Sequence, residues 1–498
     1  MSNIRKQTII SSLLVYIGFI VGAVNTYLYS SKSGAFTSEQ YGLTQFFISV
    51  GQNIFVISNL GLIPVVYKFY PYYKSHLEDR KIDIMTWALG ASLIGFIITC
   101  IGGVIIKPMI VQGYMEKSYL VVQYYYLLFP FSLGMLLFFL FEAFCWSIHE
   151  TVIANFLKET ALRIITSVFI LLYYFKFISF NTFIYLFSAI YLFIFIILII
   201  YLKRINQLHL PFKQSKVTKR FKKLMFKMQA YIFGGTIINT LATTIDAIFI
   251  AHFLNLKSVA VFSLAQYVAN LVQVPQRSIQ TISLGYLSKA WKQKNFSEIN
   301  RIYSRSCINL LLLSLFIFGN IWLNVKQGIY VLHIKPEFLE GLNVVLILGF
   351  ARIVDAGTGV NGTIINTSSL WKFDFWSGVI LLTIRLPFTW LLIKYYGIIG
   401  SAIGELASYT VYNAVRYEFL RRRFKMQPFN IKTLISIVLA ITAYFTCFYS
   451  FKNLDGWAGI IARFFLFSGI MITGIVYLKL TPDAHQLINS WSKNRNEK

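Results

Sequence analysis

Four arginines, Arg163, Arg277, Arg352 and Arg385, stand inside stretches that are otherwise strongly apolar. A guanidinium keeps its charge at physiological pH and presents paired N–H donors that match phosphate and carboxylate oxygens. Near the centre of a bilayer such a charge costs on the order of 2.5–3.5 kcal/mol on insertion scales, so each one needs an acidic partner or a watery cavity. Arg352 and Asp355 stand at i, i+3, on one face of a helix, and are expected to form a structural ion pair. Glu159 and Arg163 stand at i, i+4 in the favourable order and admit the same reading. Arg385 has no acid within four positions and must reach another helix, for example at Asp355, or face water. Arg277 shares a polar stripe with Gln266, Asn270, Gln273 and Gln276, which faces either neighbouring helices or a lumen. Reactive constellations are missing from the sequence: the six histidines are scattered, and there is no HExxH, no GxSxG elbow and no GxxxxGK[ST] phosphate loop. The expectation is therefore a chain without metal, cofactor or hydrolytic centre, a transporter rather than an enzyme.

The elements that carry these residues are about fourteen apolar stretches, most of 17 to 28 residues, long enough to cross ~30 Å of hydrocarbon as helices. They are 8–29, 42–66, 84–106, 119–146, 151–174, 182–202, 231–253, 259–284, 307–323, 342–365, 375–392, 398–415, 434–449 and 457–478. When the connections are assigned alternately to two sides, 31 of the 46 Lys and Arg fall on the side of the N-terminus, nine on the other, and six inside spans. By the positive-inside rule both termini are cytoplasmic. A mean hydropathy of +0.63 excludes an ordinary soluble domain. A net charge of +27 would suggest nucleic acid in a soluble protein, but here it reads as topology signals beside anionic lipid headgroups, so membrane lipids and no nucleic acid are the expected partners. Cys100, Cys145, Cys307 and Cys447 lie in apolar spans without CxxC spacing and read as packing residues.

Six spans precede the longest hydrophilic connection, six follow it, and a second basic connection introduces a final pair. The expected fold is an all-α polytopic membrane protein of about fourteen helices, two six-helix lobes plus two C-terminal helices. Its divisions are an N-terminal lobe 1–202, a basic cytoplasmic linker 203–227, a C-terminal lobe 228–420, and a last helix pair with its tail, 421–498. Stretches 42–53 and 260–271 echo each other weakly, as parallel repeats would. Pro64, Pro130, Pro275 and Pro387 lie within spans, where each removes a backbone donor and can bend the helix.

The segment FTSEQYGLTQFFISVGQNIFVISNLGLIPVVYKFYP, 36–71, and the stretches PEFLEGLNVVLILGFARIVDAGTGVNGTIINTSS and YYGIIGSAIGELASYTVYNAVR within 336–423 resemble the bacterial polysaccharide flippases of the Wzx type, the O-antigen and capsule class. With fourteen spans, the resemblance covers nearly the whole chain. It implies the fold of the multidrug/oligosaccharidyl-lipid/polysaccharide exporters. It also implies a cargo of undecaprenyl-pyrophosphate-linked oligosaccharide, moved from the cytoplasmic to the periplasmic leaflet by alternating access in the bacterial cytoplasmic (inner) membrane. Other membrane proteins of polysaccharide assembly are the implied partners. In that fold the first, second, seventh and eighth helices face the cavity, and here they carry Asn25, Gln45, Gln52, Asn53, Asp246 and Arg277, with Gln273 on the polar stripe. The pyrophosphate head is expected near Arg277 or Arg163, with Arg385 a further cation, and Asp246 is the candidate for coupling to an ion. The first and second helices lack the internal arginines of the related lipid II flippases, which weighs against lipid II as cargo. A small-molecule antiporter on the same fold is the alternative. A glycan polymerase or acyltransferase is a second one, for which a large outer loop or a buried catalytic His would be needed.

Overall fold

The computed structural model describes residues 2–370 and 372–483, with the backbone alone for residues 2–13 and 16. No strand occurs among the described residues, and the chain is an all-α polytopic membrane protein. Among the described residues, eight helices are by themselves long and apolar enough to cross a membrane, and ten counting two bent pairs. A count of fourteen spans is compatible with this pattern.

Two compact units divide the chain, 1–260 and 261–498. The first contains α1 (Ser2–Ser30), α2 (Ser38–Asn59), α3 (Leu62–His76), α4 (Ile84–Tyr114), α5 (Tyr119–Gln123), α6 (Leu128–Ser147), α7 (Thr151–Asn155), α8 (Leu162–Tyr174), α9 (Phe180–Ser188), α10 (Ile190–Arg204) and α11 (Lys216–Phe253). Thr37 opens α2 with a capping box closed by Gln40, so two orphan donors at the helix start are met by side chains. Leu60 and Gly61, both left-handed at φ 53 and φ 74, then break α2 from α3 by 46°. At Gly61 the chain runs against the backbone of Phe233 in α11, so a side chain would both strain and clash. The core is unusually aromatic: Phe69, Tyr70, Tyr73, Phe138, Phe141 and Phe144 pack with Val65, Leu157, Ile194 and Leu198. α7 and α8 are joined by a π-helical turn, Phe156–Ala161, of the kind that recurs at functional positions.

α11 is held at both ends by this unit. At its start, the fully buried carboxylate of Asp83 accepts from Ser215 N (2.9 Å), Thr218 Oγ1 (2.8 Å) and Trp87 Nε1 (3.0 Å). At its end, Ser118 Oγ and Lys117 Nζ donate to the carbonyls of Ala251 (2.7 Å) and Phe253 (2.9 Å). The basic connection 203–227 is thus a loop only to Ser215, and its last basic residues, from Lys216 on, ride on α11.

α12 (Leu256–Asn270) straddles the division. The second unit continues with α13 (Val274–Lys292), α14 (Phe296–Val331), α15 (Leu342–Gly357), α16 (Asn361–Thr367), α17 (Lys372–Phe424), α18 (Ile431–Ser450) and α19 (Gly456–Tyr477). α17 is two helices joined at Gly397, whose φ 58, ψ −138 only glycine adopts without strain. The chain doubles back there, because a Cβ at Gly400 would overlap the carbonyl of Leu392 and one at Gly404 would press on the backbone of Thr389. Three of the four span prolines begin new helical pieces: Pro64 in the first turn of α3, Pro130 in that of α6, and Pro275 in that of α13 after a single 3₁₀ turn. Pro387 lies inside α17.

Candidate functional site

In the first unit, a cavity of about 200 Å³ opens among α1, α2, α6, α8 and α10. Arg163, the single charged residue of its wall, is joined there by Asn25, Thr26, Thr44, Gln45 and Thr166 and by the rings of Tyr29, Tyr41 and Tyr191. The π turn and two glycines position the arginine. Gly18 lies so close to the carbonyl of Glu159 that no Cβ fits, and Gly22 lies against the Arg163 side chain, which lets α1 approach the turn. Arg163 Nη2 donates to Glu159 Oε2 at 3.1 Å, the i, i+4 pair expected from spacing. Its Nη1 is buried against α1 at Gly18 and has no hydrogen-bond partner among the described residues. Asn25 orders the neighbourhood, donating to the Arg163 carbonyl (2.9 Å) and accepting from Ser167 Oγ (2.6 Å). The neighbouring cation Lys158 pairs with Glu142 at 3.2 Å. Chemically, this wall sets one guanidinium, amides and aromatic faces beside the apolar side chains of Ile48, Phe131, Leu162, Phe187 and Ile190.

Gln45 and Arg163 are therefore brought together, whereas Gln52 and Asn53 lie elsewhere on α2. Asn53 is tied to Thr244 of α11 at 2.8 Å and to the Ser49 carbonyl. Asp246 is buried on α11.

In the second unit, spacing misassigned the central ion pair. Arg352 does not pair with Asp355. Its Nη2 donates to Glu405 Oε1 at 2.6 Å and its Nε to Asn270 Oδ1 at 2.9 Å. Arg385 takes the other oxygen of the same carboxylate, Nη2 to Oε2 at 2.6 Å, and all three side chains are buried. The ring of Tyr409 lies under both cations, 5.6 and 5.7 Å from the guanidinium carbons. Asp355 accepts instead from neutral amides: Gln273 Nε2 (2.9 Å), Gln276 Nε2 (3.1 Å) and Asn413 Nδ2 (3.0 Å). The physical reason is the hairpin at Gly397. It sets Glu405 opposite Arg385 and in reach of α15, where a second cation can share it, while Asp355 turns one turn further toward α13. The polar stripe of the eighth span is thereby explained by neighbours: Asn270, Gln273 and Gln276 are spent on Arg352 and Asp355. Arg277 is exposed and makes no ion pair with the described residues. Glu405, Tyr409 and Asn413 were not singled out as site residues. The signal that could have found them is the glycine spacing Gly397, Gly400, Gly404, which marks two helices in close approach.

No protein-family model and no curated protein matches this chain. Solved structures do. A structure described as lipid II flippase MurJ in an inward closed conformation aligns with a TM-score of 0.73 at 15% identity, covering 95% of this chain and 99% of that one. An inward-facing multidrug resistance MATE family transporter of the MOP superfamily aligns with a TM-score of 0.64 at 12% identity, over 83% of this chain and 98% of that one. A MOP superfamily transporter from Pyrococcus furiosus, described by the reversed polarity of its binding pocket, aligns with a TM-score of 0.52 at 14% identity, over 84% and 96%. At these identities the likeness is one of architecture: this polytopic chain has the fold shared by the lipid II flippase MurJ and the MATE transporters of the MOP superfamily.

Proposed function

We propose that the protein is a flippase of the bacterial cytoplasmic membrane, with both termini cytoplasmic, that moves an undecaprenyl-pyrophosphate-linked oligosaccharide to the periplasmic leaflet by alternating access. The observation that carries this reading is Arg163, the single charged residue on the wall of a cavity that also carries amides, hydroxyls and tyrosine rings. A pyrophosphate oxygen is a natural acceptor for a guanidinium, and the amides and tyrosine rings beside it suit sugar hydroxyls and ring faces. The architecture shared with a structure described as a lipid II flippase supports the class of cargo. Arg277, exposed and without an ion pair, is the second candidate for the charged head. Two lobes are the proposed moving halves, with α11, which the first unit grips at both ends, moving with the first of them, and other membrane proteins of polysaccharide assembly are the proposed partners.

The competing reading is a MATE-like small-molecule antiporter, which the multidrug transporter fold match favours. The polarity of the wall argues against cationic drugs, because its single charge is positive. Cells dependent on this protein for surface glycan separate the two. Arg163→Ala is expected to reduce glycan export by ten-fold or more at normal protein abundance, with Arg163→Lys intermediate because an ammonium keeps the charge but not the fork. Drug resistance is expected to be unchanged throughout. Wild-type export by both Arg163→Ala and Arg277→Ala sinks the basic-cavity assignment, and drug efflux without glycan export sinks the flippase.

A further inference from the structure

A second cavity of the first unit, of about 600 Å³, shares no wall residue with the Arg163 cavity. It forms where α3, α6 and α10 end, and its wall carries Tyr70, Lys74, His149, Glu150 and Gln207. Two similar turns build it. A left-handed residue stops α6 at His149 (φ 67) and α10 at Asn206 (φ 54). The next N–H then reaches back, Glu150 N to the Cys145 carbonyl (2.8 Å) and Gln207 N to the Leu202 carbonyl (3.0 Å), so both wall side chains stand on fixed backbone.

The polar groups of this cup are largely unspent. Glu150 Oε2 accepts from Tyr201 Oη at 2.7 Å, and its other oxygen is open. The side chains of His149 and Gln207 make no hydrogen bond or ion pair with the described residues, and neither is enclosed. Lys74 spends one of the three donors of its ammonium on Asp79. α3 and α10 end in basic residues, whereas α6 ends without one and is followed by Glu150. The carbonyl end of α6 and this carboxylate therefore make a negative spot beside the cations of α3 and α10. One turn nearer the start of α3, Tyr67 shares a helix face with Tyr70 and Lys74, and its ring lies 6.3 Å from that of Trp146. Tyr67 is 38% and Trp146 39% exposed, as in an aromatic belt at headgroup depth.

We propose that the cup holds the phosphoethanolamine head of a membrane lipid, with the ammonium on Glu150 and Gln207, the phosphate on Lys74 and His149, and the acyl chains leaving past Tyr67 and Trp146. Other occupants leave part of the wall unmet. A phosphate without an amine sets its charge beside Glu150, and a trimethylammonium has no N–H to give the carboxylate. A metal ion finds no set of three ligating side chains among the described residues. A soluble amine makes no use of the aromatic pair.

The test places full-length protein in phosphatidylglycerol nanodiscs doped equally with phosphatidylethanolamine and phosphatidylcholine of matched chains, and bound lipid is counted by native mass spectrometry. Wild type is expected to retain phosphatidylethanolamine over phosphatidylcholine by about ten-fold, the value of one charge-assisted hydrogen bond. Glu150→Gln is expected to bring that ratio close to one and Gln207→Leu to lower it several-fold. Glu78→Gln, at an exposed carboxylate outside the cup, keeps the wild-type ratio. Tyr67→Ala combined with Trp146→Ala is expected to reduce the lipid retained and leave the ratio unchanged. Equal retention of the two lipids by wild type, or an undiminished preference in Glu150→Gln, overturns the proposal. So does displacement of the bound lipid by millimolar glycerophosphoethanolamine, which would make the ligand a soluble head without chains.

Discussion

Glu405 serves two arginines with one carboxylate, and removing its charge leaves two cations buried side by side. Breaking such a group by deleting one partner costs about 3–5 kcal/mol, most of it the penalty of the charge left behind. Glu405→Gln is therefore expected to lower the unfolding temperature of detergent-purified protein markedly or to abolish accumulation, and pairing it with Arg385→Leu is expected to restore part of the loss. Asp355→Asn, whose partners are three neutral amides, is expected to cost only about 1–2 kcal/mol. The two substitutions would be equivalent if Asp355 were the counter-ion of Arg352, so their difference in thermal shift checks the assignment. The sequence did disclose which charges lie at membrane depth, since apolar context and helical rise suffice for that. It did not disclose their partners. The i, i+3 rule sees only one helix, whereas Arg385 meets Glu405 at a separation of 20 residues across a hairpin. Glu159 and Arg163 were legible because they stand four residues apart on one continuous helical run, the π turn and the start of α8.

At the scale of elements, two joints carry the architecture. The reversal at Gly397 needs a backbone conformation that costs other residues about 1–3 kcal/mol. Gly397→Ala is expected to reduce thermal stability by that order, with the loss read in the same melting assay and unrelieved by any change at Glu405. The Asp83 carboxylate fastens Ser215 and Thr218, and so fixes where the connecting loop ends and α11 begins. Asp83→Ala is expected to speed limited proteolysis within 205–215 several-fold while cleavage elsewhere stays slow. Helix existence was legible here from apolar length. The break at Leu60–Gly61 and the start of α11 at Lys216 were not, because a run of lysines reads equally well as loop or as solvated helix.

At the scale of the molecule, the charge ladder makes a prediction about sidedness. Single cysteines in place of Lys213 and Lys394 are expected to react with an impermeant maleimide on opposite faces, Lys394→Cys in intact cells and Lys213→Cys only in inverted vesicles. Labelling of both from one side would remove the alternating assignment of the loops. The four native cysteines, three of them buried and Cys100 half-buried in an apolar span, leave a low background.

The two-ended fastening of α11 also bears on how the chain is made. The first unit is not complete when the connection after α10 leaves the ribosome, because its core still lacks the helix that Asp83, Lys117 and Ser118 are waiting to grip. Until residues 215–253 have been made, Asp83 keeps only Trp87 as a partner, and Ser118 and Lys117 lack their carbonyl acceptors on α11. Two co-expressed halves should thus reassemble well when the chain is divided between α11 and α12, near 255, and poorly when it is divided near 210.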